Sequence, residues 1–314
     1  MYAYFSLAFN AVMPFILYMA FGYATVHLFK QTKEDFLTKL NSLTFRCFFP
    51  ILMFNNFYKM DLSGGFRGGF ILFSLIAVLS LVALLFLTVG RLVHEHARTG
   101  VIIQAIFRSN SILFALPLSQ SVFGEAGVQA SSMLVAVIVP LYNILAVIVL
   151  EYYNGTRPTA WELLKRILTN PLIMGAIAGC IFLLLKVKLP GFIAKPVGAF
   201  ADLTTPLSLF ILGGMLHFSS FKRNLKVISL SMLFKLILFP ALLVLLMLFF
   251  DFTGAERFAV FCLFATPVAV SSYTMAANMG GEEELAGHFV AFSTIASLFT
   301  IFGWIVVLKA LSFI

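Results

Sequence analysis

The chain has 314 residues, of which 61% are hydrophobic and 11% are charged. Soluble domains carry about 45–50% apolar and about 25% charged residues. The mean hydropathy of +1.03 points in the same direction. Too few polar residues are present to cover a soluble globule, which excludes a water-soluble enzyme and predicts an all-α integral membrane protein. The net charge of +8 is better explained by basic loops that fix membrane topology than by nucleic-acid binding.

Apolar runs that approach membrane-spanning length recur along the whole chain. A helix needs about 20 residues to cross a bilayer. The runs lie near residues 2–29, 40–58, 66–90, 99–122, 128–150, 163–185, 197–218, 226–250, 256–279 and 286–311. Arg46 interrupts the second run and Arg108 the fourth. The sequence therefore predicts ten transmembrane helices in a lipid bilayer, joined by short loops.

Basic residues are distributed unequally between alternate predicted loops. One side carries eleven Lys and Arg residues and the other carries seven. The positive-inside rule makes the first side cytoplasmic and places both termini outside. We expect a multi-pass protein of the plasma membrane, which is the inner membrane if the source is bacterial.

Landmark residues recur at about half the chain length. Pro14 and Gly22 match Pro171 and Gly179, and Gly124-Glu125 matches Gly281-Glu282, at an offset of 157, while Pro50 to Phe54 matches Pro206 to Phe210 at 156. Residues 1–156 and 157–314 then hold five predicted helices each. Because five is odd, the second repeat enters the membrane upside down relative to the first. Inverted repeats of this kind are typical of secondary transporters.

Polar residues and prolines fall inside two of the matched runs. The fourth run carries Arg108, Ser109, Asn110 and Pro117, and the ninth carries Pro267, Ser271 and Ser272. Because Pro117 removes a backbone donor and frees carbonyls, it predicts a broken fourth helix, with an ordinary proline kink as the alternative. Repeat transporters bind substrate near the membrane midplane on such broken helices. These seven residues are therefore predicted to bind substrate.

The ordered set of motifs resembles the auxin efflux carrier family, which includes plant PIN-type carriers and many bacterial permeases. The motifs are Phe49-Pro50-x-Leu52-x-Phe54, Asn110 with Pro117, Asn170-Pro171, Thr205-Pro206-Leu207-Ser208-Leu209 with Gly213-Gly214, and Pro267 followed by Gly280-Gly281 and Ser293-Thr294. The resemblance implies a scaffold of helices 1, 2, 6 and 7 and a transport domain of helices 3–5 and 8–10. Helices 4 and 9 would cross at their breaks, and Asn110 takes the place of the family's crossover asparagine. The implied substrates are small organic anions, either auxin-like acids or carboxylates such as malate and malonate.

Ionisable residues inside predicted spans are costly and suggest function. They are Arg46, Arg108, Asp202 and Lys235, and their excess of positive charge favours an anionic ligand. Arg108 could hold a carboxylate by two parallel hydrogen bonds or could snorkel to the interface, and Lys235 is expected to snorkel. Arg46 and Asp202 each precede a matched proline by four residues. They are predicted either to form an ion pair that locks the scaffold or is modulated by protonation, or to stand as independent interfacial charges.

Further polar residues are expected to face the same cavity. They are Asn55, Asn56, Tyr142, Asn143, Ser293 and Thr294, and each could contact substrate or bond neighbouring helices together. The sequence predicts no metal site and no cofactor, because His94-Glu95-His96 lacks the spacing of a zinc-binding His-Glu-x-x-His motif. It contains no phosphate-binding loop either.

These features together favour one class of function. We expect a secondary transporter that moves a small organic anion by alternating access, and not an enzyme. An anion channel or a membrane ligand sensor on the same fold is the alternative. The oligomeric state stays open, a homodimer included.

Overall fold

A computed structural model describes residues 2–28, 34–60, 68–155 and 159–314 of the chain. Regular structure in these ranges is helical apart from one β-bridge, which agrees with the all-α prediction. The helices are α1 (Tyr2–Leu28), α2 (Glu34–Leu43), α3 (Phe49–Tyr58), α4 (Gly68–Leu92), α5 (His96–Phe107), α6 (Ser111–Tyr152), α7 (Ala160–Leu168), α8 (Pro171–Leu184), α9 (Gly191–Met215), α10 (Phe218–Leu233), α11 (Phe239–Met247), α12 (Gly254–Ala265), α13 (Ser271–Asn278) and α14 (Glu283–Ala310). Two π-helical turns, Thr44–Phe48 and Phe234–Leu238, join α2 to α3 and α10 to α11.

Six stretches in the described ranges are long and apolar enough to cross a membrane. They are Ala8–Leu28 in α1, the helices α4, α6, α9 and α14, and Phe221–Met247, which covers α10 and α11. A seventh candidate is the pair α7 and α8, which is bent by 61°. The remaining predicted runs correspond to the shorter helices α2 with α3, α5, and α12 with α13. The chain is therefore a multi-pass membrane protein.

Helix α6 reverses its direction at Gly124. This glycine has a φ of +59°, a conformation that residues with a Cβ rarely adopt. Ser131 donates a hydrogen bond to Ser119 across only 2.7 Å. Residues twelve apart in a straight helix would be separated by about 18 Å. The two arms of α6 therefore pack against each other, which agrees with separate predicted runs before and after this position.

Two close helix contacts are formed by residues that the predicted internal repeat matches. Helix α1 packs on α9 so tightly that a Cβ placed at Gly22 would overlap the carbonyl oxygen of Phe210. Helix α8 packs on α3 in the same way, with Gly179 against the carbonyl oxygen of Phe54. The sequence repeat pairs Gly22 with Gly179 and Phe54 with Phe210. Each repeat thus supplies the glycine of one contact and the phenylalanine of the other, as a two-fold relation between the repeats requires.

Two extended segments meet in the interior, between α5 and α6 and between α12 and α13. The amide of Asn110 donates to the carbonyl of Pro267 over 2.9 Å, and the amide of Ala269 donates to the carbonyl of Arg108 over 3.4 Å. Ser293 of α14 accepts a further bond, from the amide of Val268, over 3.0 Å. These bonds satisfy backbone groups that the helices leave unpaired, as a buried break requires.

Pro117 lies away from this break, and its predicted role in forming the break is wrong. The fourth predicted run opens at residues 108–110, and the chain is helical again from Ser111 through Pro117. Pro117 faces outward from α6 and is exposed. One proline removes a single helical hydrogen bond. The paired segments, in contrast, supply several hydrogen bonds in place of helical ones. The position of the partner segment therefore sets the break.

Candidate functional site

A cavity of about 380 Å³ lies beside the paired extended segments. It is bounded by α1, α3, both arms of α6, and α9. Its lining residues are Phe15, Tyr18, Phe49, Leu52, Met53, Asn56, Arg108, Ser109, Asn110, Ser111, Ile112, Leu113, Val139, Tyr142, Asn143, Ala201, Asp202, Thr205, Pro206, Ala269, Val270 and Ser271. Both unwound backbone segments therefore contribute to one space, together with polar side chains from α1, α3, α6, α9 and α13.

Arg108 is the buried cation of this cavity. Its side chain is 3% exposed, so it does not snorkel to the interface. One terminal nitrogen donates to Oδ1 of Asn143 at 2.5 Å, and the other contacts the sulfur of Met275. None of the ion pairs between described residues involves Arg108. The guanidinium is thus held by neutral groups, and N–H donors remain for a ligand, since a guanidinium carries five.

Lys235 approaches the same break from the other side, and the expectation that it snorkels is wrong. The residue is 1% exposed and lies in the second π-helical turn. Its Nζ donates to Oγ of Ser109 at 2.8 Å and to the carbonyls of Ile106 and Arg108 at 3.2 and 3.4 Å. An ammonium has three donors, so these acceptors saturate it. Lys235 therefore fixes the end of α5, where a cation also complements the helix dipole.

The π-helical turn around Lys235 is itself held by a specific contact. Pro240 cannot donate a backbone hydrogen bond, which leaves the carbonyl of Leu236 without its usual helical partner. The indole Nε1 of Trp304 donates to that carbonyl over 2.9 Å. Helix α14 thus stabilises the turn that carries Lys235.

Most of the predicted site residues come together here. Residues that line the cavity are Arg108, Ser109, Asn110, Tyr142, Asn143, Asp202 and Ser271. The hydroxyl of Tyr142 donates to the carbonyl of Leu263, and Nδ2 of Asn143 contacts the sulfur of Met53. Both side chains therefore bond neighbouring helices as well as lining the cavity, and their contact with substrate stays a prediction.

Other predicted residues lie outside the cavity lining. Asn55, Pro117, Pro267 and Ser272 are absent from it, as is Arg46. Asn55 is buried, whereas Asn56, the next residue of α3, lines the cavity. Pro267 acts through its carbonyl, which accepts from Asn110. Ser272 is buried beside the lining residue Ser271.

The predicted Arg46–Asp202 ion pair is not formed in this structure. Both side chains are exposed, and none of the ion pairs between described residues joins them. Asp202 instead lines the cavity, while Arg46 does not.

Tyr18 and Thr205 line the cavity although neither was singled out from the sequence as a site residue. Thr205 directly precedes Pro206, which the repeat and the family motif both mark, so a signal was present beside it. Tyr18 lies within an apolar stretch where nothing distinguishes it from the other aromatic residues. Its position follows only from the packing of α1 on its neighbours.

The arrangement suits the binding of a small anion. A buried guanidinium, an unwound backbone, and amide and hydroxyl side chains are all suited to carboxylate recognition. No cluster of His, Cys, Asp or Glu within the described ranges is arranged to hold a metal ion.

Comparison with known families agrees with this architecture. The family described as Membrane transport protein matches the chain twice, over residues 7–157 and 153–305. Two consecutive matches that meet near the middle of the chain support the two predicted repeats. The comparison with curated proteins gives no match. The chain therefore belongs to the membrane transport protein family of auxin efflux carriers.

Proposed function

We propose that the protein is a secondary transporter of small organic anions, with its substrate site in the cavity at the paired breaks. The observation that carries this proposal is the burial of Arg108 without an ion pair to any other described residue. A buried charge without a counter-charge is expensive, because the low-dielectric interior replaces its hydration incompletely. A carboxylate in the cavity would supply the missing charge and could accept two parallel hydrogen bonds from the guanidinium.

The size of the cavity supports a small substrate. Its volume of about 380 Å³ lies at the lower end of the range of about 300–1,000 Å³ for ligand pockets. Carboxylates such as malate and malonate, or auxin-like acids, are the substrate class that we infer. Asn110 and Ser271 line the cavity from the two breaks, and Asn143 holds the guanidinium.

We infer a ten-span architecture with two inverted five-helix repeats, in which the fourth and ninth spans are broken and cross. The fourth span would be α5 with the first arm of α6, and the ninth would be α12 with α13. The tight contacts of α1 with α9 and of α3 with α8 support a scaffold formed by spans 1, 2, 6 and 7. The cavity is bounded by both this scaffold and the proposed transport domain. Rocking of one against the other would expose it alternately on each side.

The proposed location is the plasma membrane, with both termini outside. This orientation is supported by the excess of basic residues in the loops assigned to the cytoplasm. It can be tested by labelling single cysteines placed at the two ends of the chain from each side of the membrane.

The transport proposal can be tested on purified protein in a solid-supported membrane. Concentration jumps of malate, malonate, succinate, lactate and indole-3-acetate are applied to wild type, Asn110→Ala and Arg108→Gln, with the exposed Arg91→Gln as the matched control. We expect a saturable current for at least one anion in wild type and in the control, and its loss in the two cavity variants. Wild-type currents that survive Arg108→Gln unchanged would contradict the assigned site.

Radiolabelled counterflow then distinguishes the carrier from the channel or sensor. A carrier exchanges internal and external anion and gives a transient accumulation of label, which a channel or a sensor does not. The counterflow assay also detects electroneutral exchange, which produces no current. Absence of counterflow for every anion in the panel would overturn the proposed substrate class.

A further inference from the structure

A second cavity, of about 170 Å³, lies between the end of α9 and the start of α14. Its lining residues are Leu212, Met215, Leu216, His217, Tyr273, Glu283, Glu284, Gly287 and His288. Helix α9 also lines the first cavity, through Ala201, Asp202, Thr205 and Pro206. The two cavities therefore occupy different levels of the same helix, and the proposed anion site does not use the second one.

His288 presents an unpaired acceptor in this second cavity. The residue is 2% exposed, and its Nε2 lies 3.2 Å from the carbonyl oxygen of His217. Because a carbonyl oxygen only accepts hydrogen bonds, Nε2 carries the proton of the neutral ring and Nδ1 carries a lone pair. Nδ1 is buried and finds no hydrogen-bond partner among the described residues. Such an atom is unusual in a folded protein and calls for a ligand that donates.

Carboxylates surround the same space and would stabilise a positive charge on His288. Glu283 accepts a hydrogen bond from the hydroxyl of Tyr273 over 2.8 Å, and Glu284 lies 3.7 Å from Arg223. The other titratable neighbour is His217, which lies between α9 and α10, while Phe221 of α10 places its ring edge-on at 5.3 Å from the His288 ring. Glu284 thus favours a positive charge on His288, while Arg223 of α10 and His217 oppose it.

We propose that the second cavity is a proton-binding site in which Nδ1 of His288 accepts a proton from a hydronium ion, which leaves as water. The step forms one N–H bond and breaks one O–H bond of a hydronium ion, and no oxidant or other reactant is needed. The resulting imidazolium keeps its Nε2 bond to the carbonyl of His217 and gains an Nδ1–H donor at a cavity that Glu283 and Glu284 also line. His217 is exposed, which gives water an approach to the site.

The second cavity is placed to link proton binding to anion transport, a step that rests on the proposed function. Tyr273 lies two residues after Ser271, which lines the anion cavity, on the same short helix α13. The hydroxyl of Tyr273 also contacts the sulfur of Met215 on α9, over 3.0 Å. A proton that draws Glu283 toward His288 competes with the bond from Tyr273. Protonation would therefore loosen the contact between α13 and α14.

Titration of the histidines tests the proton site without reference to transport. The protein, with carbon-13 in its histidine rings, is followed by NMR in nanodiscs between about pH 5 and about pH 8. His288→Gln identifies the His288 resonance by its loss, and the exposed His94→Gln serves as the matched control. We expect that resonance to titrate in wild type, with a midpoint that shifts in Glu283→Gln or Glu284→Gln. A resonance that does not titrate, or a midpoint unaffected by both carboxylate variants, would overturn the proposal.

Proton movement tests the link to transport. Proteoliposomes that contain a pH-sensitive dye are given a jump of the transported anion. Wild type and His94→Gln are expected to move protons with the anion, whereas His288→Gln loses proton movement and keeps anion counterflow. Proton movement that persists at the wild-type level in His288→Gln refutes the link. If wild type shows no counterflow, the proposed function fails, and the titration still decides the proton site.

Discussion

Replacement of Lys235 by methionine should weaken anion binding although Lys235 does not line the cavity. The substitution keeps an unbranched apolar stem of similar length and removes the three donated hydrogen bonds. The carbonyl of Ile106 then loses its donor, because the amide of Asn110 that would pair with it in a helix is bonded to Pro267. The other two acceptors retain contacts, Arg108 with Ala269 and Ser109 with Phe264.

The expected magnitude follows from that single orphaned carbonyl. An unsatisfied buried acceptor costs about 1–3 kcal/mol. If the anion binds only to the paired geometry of residues 106–110, its affinity falls by the same free energy. Since 1.4 kcal/mol corresponds to a factor of ten, we expect the half-saturating concentration to rise about 5- to 150-fold. Replacing the buried ammonium also removes the cost of its desolvation. This gain is the same with and without bound anion, so it does not offset the loss of anion affinity.

The assay is the anion-induced current over a concentration series, with the amount of folded protein matched by size-exclusion chromatography. Lys226→Met is the control, since Lys226 is exposed on the same stretch of helix α10. Lys235→Arg keeps the charge and the donors and is expected to recover part of the affinity. A half-saturating concentration within twofold of wild type in well-folded Lys235→Met would refute the positioning role.

Two further substitutions test the charge of the site and the packing of the scaffold. Asn143→Asp places a carboxylate against Arg108 and should lower anion affinity at least about tenfold, with folding preserved; unchanged affinity in the same current assay would contradict a free guanidinium. Gly179→Leu forces a side chain into the contact with Phe54 and should destabilise the protein by about 1–3 kcal/mol or more. Gly303→Leu, which enters open space, is the control, and equal thermal stability of the two variants would count against the packing argument.

The class of fold and the location of the site followed from the sequence because both depend on local composition. Apolar runs mark helices in a bilayer, and the polar residues 108–110 could not be accommodated inside a lipid-facing one. The repeat was also accessible, since a two-fold relation leaves equal offsets between matched residues. In the structure Gly22 contacts Phe210, and the matched residues Gly179 and Phe54 make the equivalent contact.

The sequence did not predict the features that depend on which distant segments of the chain come into contact. Pro117 carries the stronger local signal for a break, but the break forms where residues 108–110 find a partner strand at 266–269. Lys235 carries no local signal that separates a snorkelling lysine from a buried one, because both lie in apolar helices. Its three acceptors come from a different repeat, at least 126 residues away in the chain.

The two buried cations of the site are distinguished by how completely their donors are used. The three donors of Lys235 meet three neutral acceptors, so this ammonium is satisfied without a ligand. Among the described residues, the terminal nitrogens of Arg108 contact Asn143 and Met275, and Arg108 lines the cavity. Because hydrogen bonds to neutral groups do not cancel charge, both cations still attract an anion, but only Arg108 has donors to offer it. We therefore propose that Lys235 shapes the site and that Arg108 binds the anion. Lys235→Arg, which keeps the donors at residue 235, and Asn143→Asp, which occupies those of Arg108, make this division measurable.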